Sequence, residues 1–592
     1  MKKYKFIHLV FLGALVLTPF ACSKDQLQVG NPNQPTFSGN VVDEPGIVAL
    51  ALGAVYVNGF QNGDGWLGNS YFSMNYGFSE LMADHVGADA ANQNISTMNV
   101  PDLVTVSDGT VIPTQGRAIP LERTYNNRPA TGAGYNYVYY QWLNAYALNN
   151  GCNVILAQIP KIKFNGGDAA TKANTLKAWS YWWKGWAYAA VGSQYYTGLI
   201  LDGEQAGASV TPPNNHYVTH DVIIAQSNKF LNKADSVLTI INTSGNSADY
   251  KTIMTGIIPP PFQTGHGHYP TVAQFKANIQ TMLARNILVN KLAPVGPAFG
   301  NPNLSAAITK STTSTMTAAD WTQVLAYANN GLGPADNCFA GHSAAANTVF
   351  TTTGGNVSAN SAGSNKTTVF RVGERLMQNF HGVGADSVTF GKDNRIQNFT
   401  QKYNSSTATI YNNVNFGTRW SLWRFIAGSS PTKPLPVGTY QYASWADGVY
   451  EVYIAGSYEE NELMKAEANI RLGNVAAGIT NINNVRDYQG SGLAHLAAGL
   501  TASQAMAELL MERQVALLFR GLAFYDARRW GWTYDTSLGG GVSGVSFLKG
   551  STLLTASINY NFLDYWDVPA DEFVLNPPKG GDMTQVINPN FQ

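Results

Sequence analysis

The sequence predicts a mainly α fold in which helix hairpins form a frame and a large irregular lobe is inserted between them. Stretches with 3.6-residue apolar periodicity come in groups, near 44–60, 71–86, 134–158, 168–193, 219–240, 271–291 and 318–330, then 457–472, 475–487, 501–519 and 521–530. Irregular segments rich in Gly, Asn and Thr separate them at 87–133, 195–218, 292–317 and, longest of all, 333–456. That last segment carries Tyr403, Tyr411, Trp420, Trp423, Tyr440, Tyr442, Trp445 and Tyr450, rings that can anchor a packed lobe, so it does not read as simple disorder. No linker divides the chain. One unit is expected over 22–592, with a helical frame at about 44–330 and 457–530, an irregular lobe at about 333–456 and a closing segment at 531–592.

The N-terminal element is expected to be an export signal, residues 1–21. Lys2, Lys3 and Lys5 precede an apolar run from Ile7 to Leu17. A permanent helical span needs about 20 apolar residues, and this run is about half that. Ala21-Cys22 followed by Ser23-Lys24-Asp25-Gln26 is similar to a bacterial lipobox, with Pro19 where a Leu is usual. The Cys22 thiol is then the expected lipidation site.

Beyond Cys22 only Cys152 and Cys338 remain, so no disulfide framework holds the chain. Cys152 lies in a helical pattern, where a buried thiol is the ordinary outcome, though a single bridge to Cys338 is left open. Neither has a second Cys or His at ligand spacing, so no metal or cofactor is expected. Lys+Arg and Asp+Glu both number 37, which gives no basic surplus for nucleic acid. Charged residues make up 12% of the chain, against about 25% in ordinary soluble proteins. Aromatic residues also reach 12%, and such rings beside neutral amides and hydroxyls suit a neutral, hydroxyl-rich ligand. The same composition also fits an exported, loop-rich chain with no such ligand.

In 457–472, Leu463, Ala466 and Ile470 form an apolar face that also holds Glu467. In 501–519, Met506, Leu509, Leu510 and Leu517 form one that holds Arg513. Opposite charges aimed inward from neighbouring helices predict a buried Glu467–Arg513 ion pair, with Glu512 and Asp526 as competing partners for Arg513.

The C-terminal third carries ordered motifs: Lys465-Ala466-Glu467-Ala468, Asn483-Asn484-Val485-Arg486, then Glu512-Arg513 followed by Leu517, Phe519, Gly521, Asp526, Arg529 and Trp530. Val568-Pro569-Ala570-Asp571-Glu572, Asn576-Pro577 and Asn588-Pro589 close the chain. In order and spacing these resemble the SusD/RagB family of outer-membrane nutrient-binding lipoproteins. Weaker matches, among them Glu80 with Asp84, Tyr146 with Asn153 and the 178–198 segment, extend the resemblance over most of the mature chain. Ala516, Arg520 and Ala523 depart from it where the family often has Glu, Glu and Arg, so the local ion-pair network should differ. The resemblance implies a tetratricopeptide-like helix-hairpin superhelix with an irregular lobe. It also implies a lipid-anchored, surface-exposed outer-membrane protein that binds oligosaccharide, or in some relatives peptide, over a SusC-type TonB-dependent transporter. A structural or adaptor lipoprotein is the alternative.

No catalytic constellation stands out. Gly341-His342-Ser343-Ala344-Ala345 lacks the second Gly of a nucleophile elbow, and His266 with His268 lies in a Gly- and Pro-rich loop. Asn62-Gly63-Asp64-Gly65 lacks the ligand pattern of a calcium loop. Glu459, Glu460 and Glu462 crowd a helix start, where carboxylates complement the dipole. Candidate ligand contacts are rings and amides of the loops: Trp66, Asn92, Asn94, Tyr125, Trp420 and Trp445.

Overall fold

A computed structural model describes residues 43–57, 79–80, 82–88, 101–113, 122–124, 126, 137–203, 215–258, 269–295, 314–336, 338–342, 370–381, 393–395, 420–421, 451–453, 455–518, 520–550 and 552–589. Its helices are α1 (Glu44–Leu52), α2 (Tyr137–Gln158), α3 (Ala169–Gln194), α4 (His220–Ser244), α5 (Ser247–Ile257), α6 (Val272–Leu288), α7 (Ala318–Asn329), α8 (Glu374–Gln378), α9 (Tyr458–Arg471), α10 (Val475–Tyr488), α11 (Ala502–Ala516), α12 (Ala523–Arg529) and α13 (Ala570–Leu575). Neighbours pack in succession, α2 on α3, α3 on α4, α4 on α6, α6 on α7, α7 on α9, and α9 on α10 and α11. This is the stacked helix-hairpin arrangement of tetratricopeptide-like frames.

The helix ends follow local chemistry. Asp168 caps α3 by accepting from the Ala170 and Thr171 amides, and Thr271 with Gln274, Thr317 with Asp320 and Thr501 with Gln504 form reciprocal capping boxes. Trp179, Trp182, Trp183 and Trp186 of α3 fall at i, i+3, i+4 and i+7 and are all buried. The Trp182 ring stacks on Phe339 at 4.2 Å, and its indole N–H donates to Asn278 at 2.9 Å. Gly185 lets α3 and α4 approach closely, since a Cβ there would sit 2.8 Å from the Leu231 side chain. Cys152 and Cys338 are both free and buried, and burial pushes the Cys152 thiol up to about 12.

The closing segment gains strands, and one ion pair is corrected. The closing segment carries a hairpin, β10 (Val542–Lys549) and β11 (Thr552–Asn559), which continues through β2 (Leu103–Val106) to β3 (Val111–Pro113) in a four-stranded antiparallel sheet. The sheet therefore joins segments far apart in sequence. The direct Glu467–Arg513 pair is not formed. Both residues are buried, but Glu467 receives both terminal nitrogens of Arg529, at 2.8 and 2.7 Å, while Arg513 donates to Asp526 at 2.9 Å. Asp526 also accepts from Arg529 Nε at 2.7 Å and so bridges the two arginines. Burial alone would raise the carboxyls of Glu467 and Asp526, but the arginines outweigh it and hold both below their ordinary range.

Arg528, one residue earlier, is fully buried and donates to three backbone carbonyls: Ser193 at 2.7 Å, Val289 at 2.7 Å and Asp564 at 2.9 Å. Ser193 and Val289 lie at the C-terminal ends of α3 and α6, where carbonyls lack helical partners and the dipole favours a cation. The guanidinium also lies 4.0 Å from the centre of the Tyr565 ring, and His220 stacks on that ring at 4.1 Å. Burial, assisted by the charge of Arg528, pushes His220 down to about 3. Asp221 stands 3.2 Å from His220 Nδ1, yet its carboxylate is 69% exposed and makes no hydrogen bond to the ring, so burial prevails.

A pH dependence follows. The unfolded chain protonates His220 below about 6.5 while the folded chain does not until about 3, so stability falls as pH is lowered through this interval. The expected contribution is up to about 1.4 kcal/mol per pH unit. His220→Phe, which keeps the stack, should flatten urea-unfolding stability between pH 6.5 and 4.5 relative to the parent; an unchanged slope would rule His220 out as its source.

Candidate functional site

The site is built where the frame meets segments from both ends of the chain. Strand β1 (Val86–Ala88) pairs with β7 (Phe370–Val372), which pairs with β8 (Trp420–Ser421), and α8 follows β7 directly. This small sheet sets Asp84 and His85 beside α8. On the opposite side stand Leu510, Met511 and Gln514 of α11, the loop residue Trp532, and β10 with Tyr560. Together they enclose a pocket of about 260 Å³.

Its floor is ionic. Asp84 adopts the left-handed region at φ 62°, uncommon for a residue with a side chain. Arg375 holds the Asp84 carboxylate through Nε and through a terminal nitrogen at 2.6 Å, and the Tyr560 hydroxyl donates to the same carboxylate. Beside it, His85 Nδ1 bonds Glu80 at 2.7 Å and its Nε2 meets Gln514 at 3.2 Å. The walls mix the amides and hydroxyls of Gln378, Asn379, Gln514, Ser543 and Ser546 with the half-buried Trp532 ring and apolar Leu376, Leu510, Met511 and Val545. The strand register of β10 slips between Val542 and Val545, and Gly544 takes φ 71°, so Ser543 and Gly544 bulge at the pocket rim.

A second charge cluster fastens a loop segment to the frame. Buried Arg395 is gripped by Asp393 at 2.8 Å and by Glu512, and Glu512 also accepts from Arg486 at 2.9 Å. Arg486 donates to Glu508 at 2.7 Å, and His381 meets the same carboxylate at 3.1 Å. Half-buried though it is, Glu508 is drawn down to about 2 by these two partners. Arg520, where the family pattern departs, pairs with Glu459 at 3.0 Å. Glu460 pairs with Arg285, and Glu462 accepts from Asn481 and Asn484. The three glutamates at the start of α9 therefore serve as partners between elements, a role beyond the helix dipole.

Cys22, Trp66, Asn92, Asn94, Tyr125 and Trp445 lie outside the described residues, as do His266, His268 and residues 62–65. Trp420 is described only as backbone, paired with Val372 in β8. Gly341 and His342 belong to a short strand, β6 (residues 340–342), paired with β9 (Glu451–Tyr453). Among the described residues no group of His, Cys, Asp and Glu is placed to hold a metal, and no helix is long and apolar enough to cross a membrane. Sequence reasoning noted Glu80 and Asp84 only as matches to the family pattern and missed Trp532, Asn379 and Ser546. The alternation around the Gly550 turn was the available signal for β10, and Gly544 interrupts it.

No protein-family model matches the sequence, and no curated protein matches it. Solved structures do match the fold. A SusD-like carbohydrate binding protein from Bacteroides fragilis superposes with a TM-score of 0.53 at 11% identity, covering 91% of this chain and 99% of that one. A SusD superfamily protein from Bacteroides vulgatus gives 0.50 at 14% identity, with 90% and 97% covered. A further SusD-like protein from Bacteroides fragilis gives 0.50 at 13% identity, with 91% and 96% covered. The chain has the fold of these proteins, the one that the C-terminal motifs imply.

Proposed function

We propose that this chain, folded like the SusD-like carbohydrate binding proteins, is a non-catalytic receptor for a neutral oligosaccharide at the cell surface. In this reading Cys22 is acylated after export, the lipid holds the protein to the outer membrane, and the glycan passes to a TonB-dependent transporter of the SusC type. The observation that carries it is the pocket beside Trp532. Arg375 holds the Asp84 carboxylate and Glu80 bonds His85, while the half-buried Trp532 ring stands beside amides and hydroxyls among apolar side chains. Ring faces suit the C–H faces of sugars, and the amides suit their hydroxyls.

The test is binding measured on a glycan and peptide array and then by calorimetry. Trp532→Ala and Asn379→Ala should each weaken glycan binding several-fold, since one ring contact is worth about 1 kcal/mol, roughly fivefold. Affinity should change little from low to high salt, because neutral contacts are not screened. A steep salt dependence would point to a charged ligand; no binding to any glycan or peptide would favour the adaptor role. For the anchor, Cys22→Ala should move the protein from the membrane to the soluble fraction, and retention after high-salt washing would count against acylation.

A further inference from the structure

We infer that the pocket takes a single sugar ring at the end of a chain, entering end-on, and does not bind the middle of a chain. This rests on the glycan-binding reading and adds to it which part of the glycan is recognised.

Volume is the first argument. A cavity of about 150 Å³ holds one benzene ring, and pockets for larger ligands run to roughly 300–1,000 Å³. At about 260 Å³ this pocket matches one six-membered ring with its hydroxyl groups in size. Closure is the second. A chain lying across a site needs an opening at both ends, but the inner end here is sealed by Asp84, Arg375 and Tyr560. Asp84 and Tyr560 are each 5% exposed, and both Asp84 oxygens are engaged, one by an Arg375 terminal nitrogen and the other by Arg375 Nε and the Tyr560 hydroxyl. Opening that floor would strand a buried charge pair, which is strongly unfavourable. Asn379, Ser546 and Trp532, whose ring also packs on Trp530 at 4.9 Å, line the same space.

The experiment is calorimetric titration of the full-length protein with glucose, galactose, mannose and xylose and their homo-oligomers up to the hexamer. Each oligomer is also tested with a bulky aromatic cap on the reducing or the non-reducing end. For whichever series binds, the monomer or dimer should bind within about threefold of the hexamer, and one of the two caps should abolish binding while the other does not. Ser546→Leu, which fills the pocket from a partly exposed strand position, should abolish binding with the melting temperature unchanged. An affinity that climbs tenfold or more with length, or that ignores both caps, overturns end-on recognition while leaving glycan binding intact. Undiminished binding by a folded Ser546→Leu variant moves the site elsewhere and overturns it too. If no series binds, the glycan reading itself falls and this inference falls with it.

Discussion

Replacing Arg529 by Met is expected to destabilise the fold by about 3–5 kcal/mol, because it strands charge that the interior cannot solvate. Arg529 is fully buried between Glu467 and Asp526 and gives two hydrogen bonds to the first and one to the second. Without it, Asp526 keeps Arg513, but Glu467 keeps only Arg471 at 3.8 Å. The Glu467 carboxyl, now held below its ordinary range chiefly by Arg529 against the pull of burial, should rise and take up a proton. The deficit should therefore shrink as pH falls toward 4, and the double variant Arg529→Met, Glu467→Leu should recover much of the loss. Urea unfolding of the parent, both single variants and the double variant closes the cycle. If the double variant is as unstable as the sum of the singles, the charge-stranding account is wrong.

Arg528→Met should cost at least about 3 kcal/mol, from three charge-assisted hydrogen bonds worth roughly 1.5–3 kcal/mol each and not additive. The three carbonyls belong to the ends of α3 and α6 and to the C-terminal segment, so one side chain ties three parts of the chain together. Arg528→Lys should rescue little, since a single ammonium on a flexible stem cannot reproduce the planar fork or its stack on Tyr565. Limited proteolysis should then cut the variant near residue 564 sooner than the parent. A Lys variant of parental stability would show that charge alone matters at this point.

Some of this architecture was legible in the residues. Helix existence followed from apolar periodicity, and the caps Asp168, Thr271, Thr317 and Thr501, whose bonds reach only two or three residues ahead, were a local signal for the helix starts that went unused. The i, i+3, i+4, i+7 spacing of the four tryptophans marks the buried face of α3, a local signal that went unread. Helix α5 went unread although Asn246 caps it, because its eleven residues carry only a short periodic signal. The inward charges of Glu467 and Arg513 were found, and Asp526 stood among the partners weighed for Arg513, but Arg529 as the partner of Glu467 was missed. Which carboxylate meets which guanidinium depends on how helices 40 to 60 residues apart are set against each other, and Arg529 lies on a helix whose short length hides its facing.

The pocket is the clearer case. Asp84, Arg375, Gln514, Trp532 and Tyr560 come from five separate stretches of the chain, and no period or motif links them. Apolar patterns are local, with energies decided within a turn or two of helix, so the amino-acid sequence by itself determined the mainly α class, the place of most long helices and the neutral, aromatic character of the chain. The pairing of β11 with β2, the sealing of the Asp84 floor and the convergence on Arg528 join residues hundreds of positions apart. Only the tertiary structure decided those, because long-range packing fixes which buried charges and carbonyls find one another.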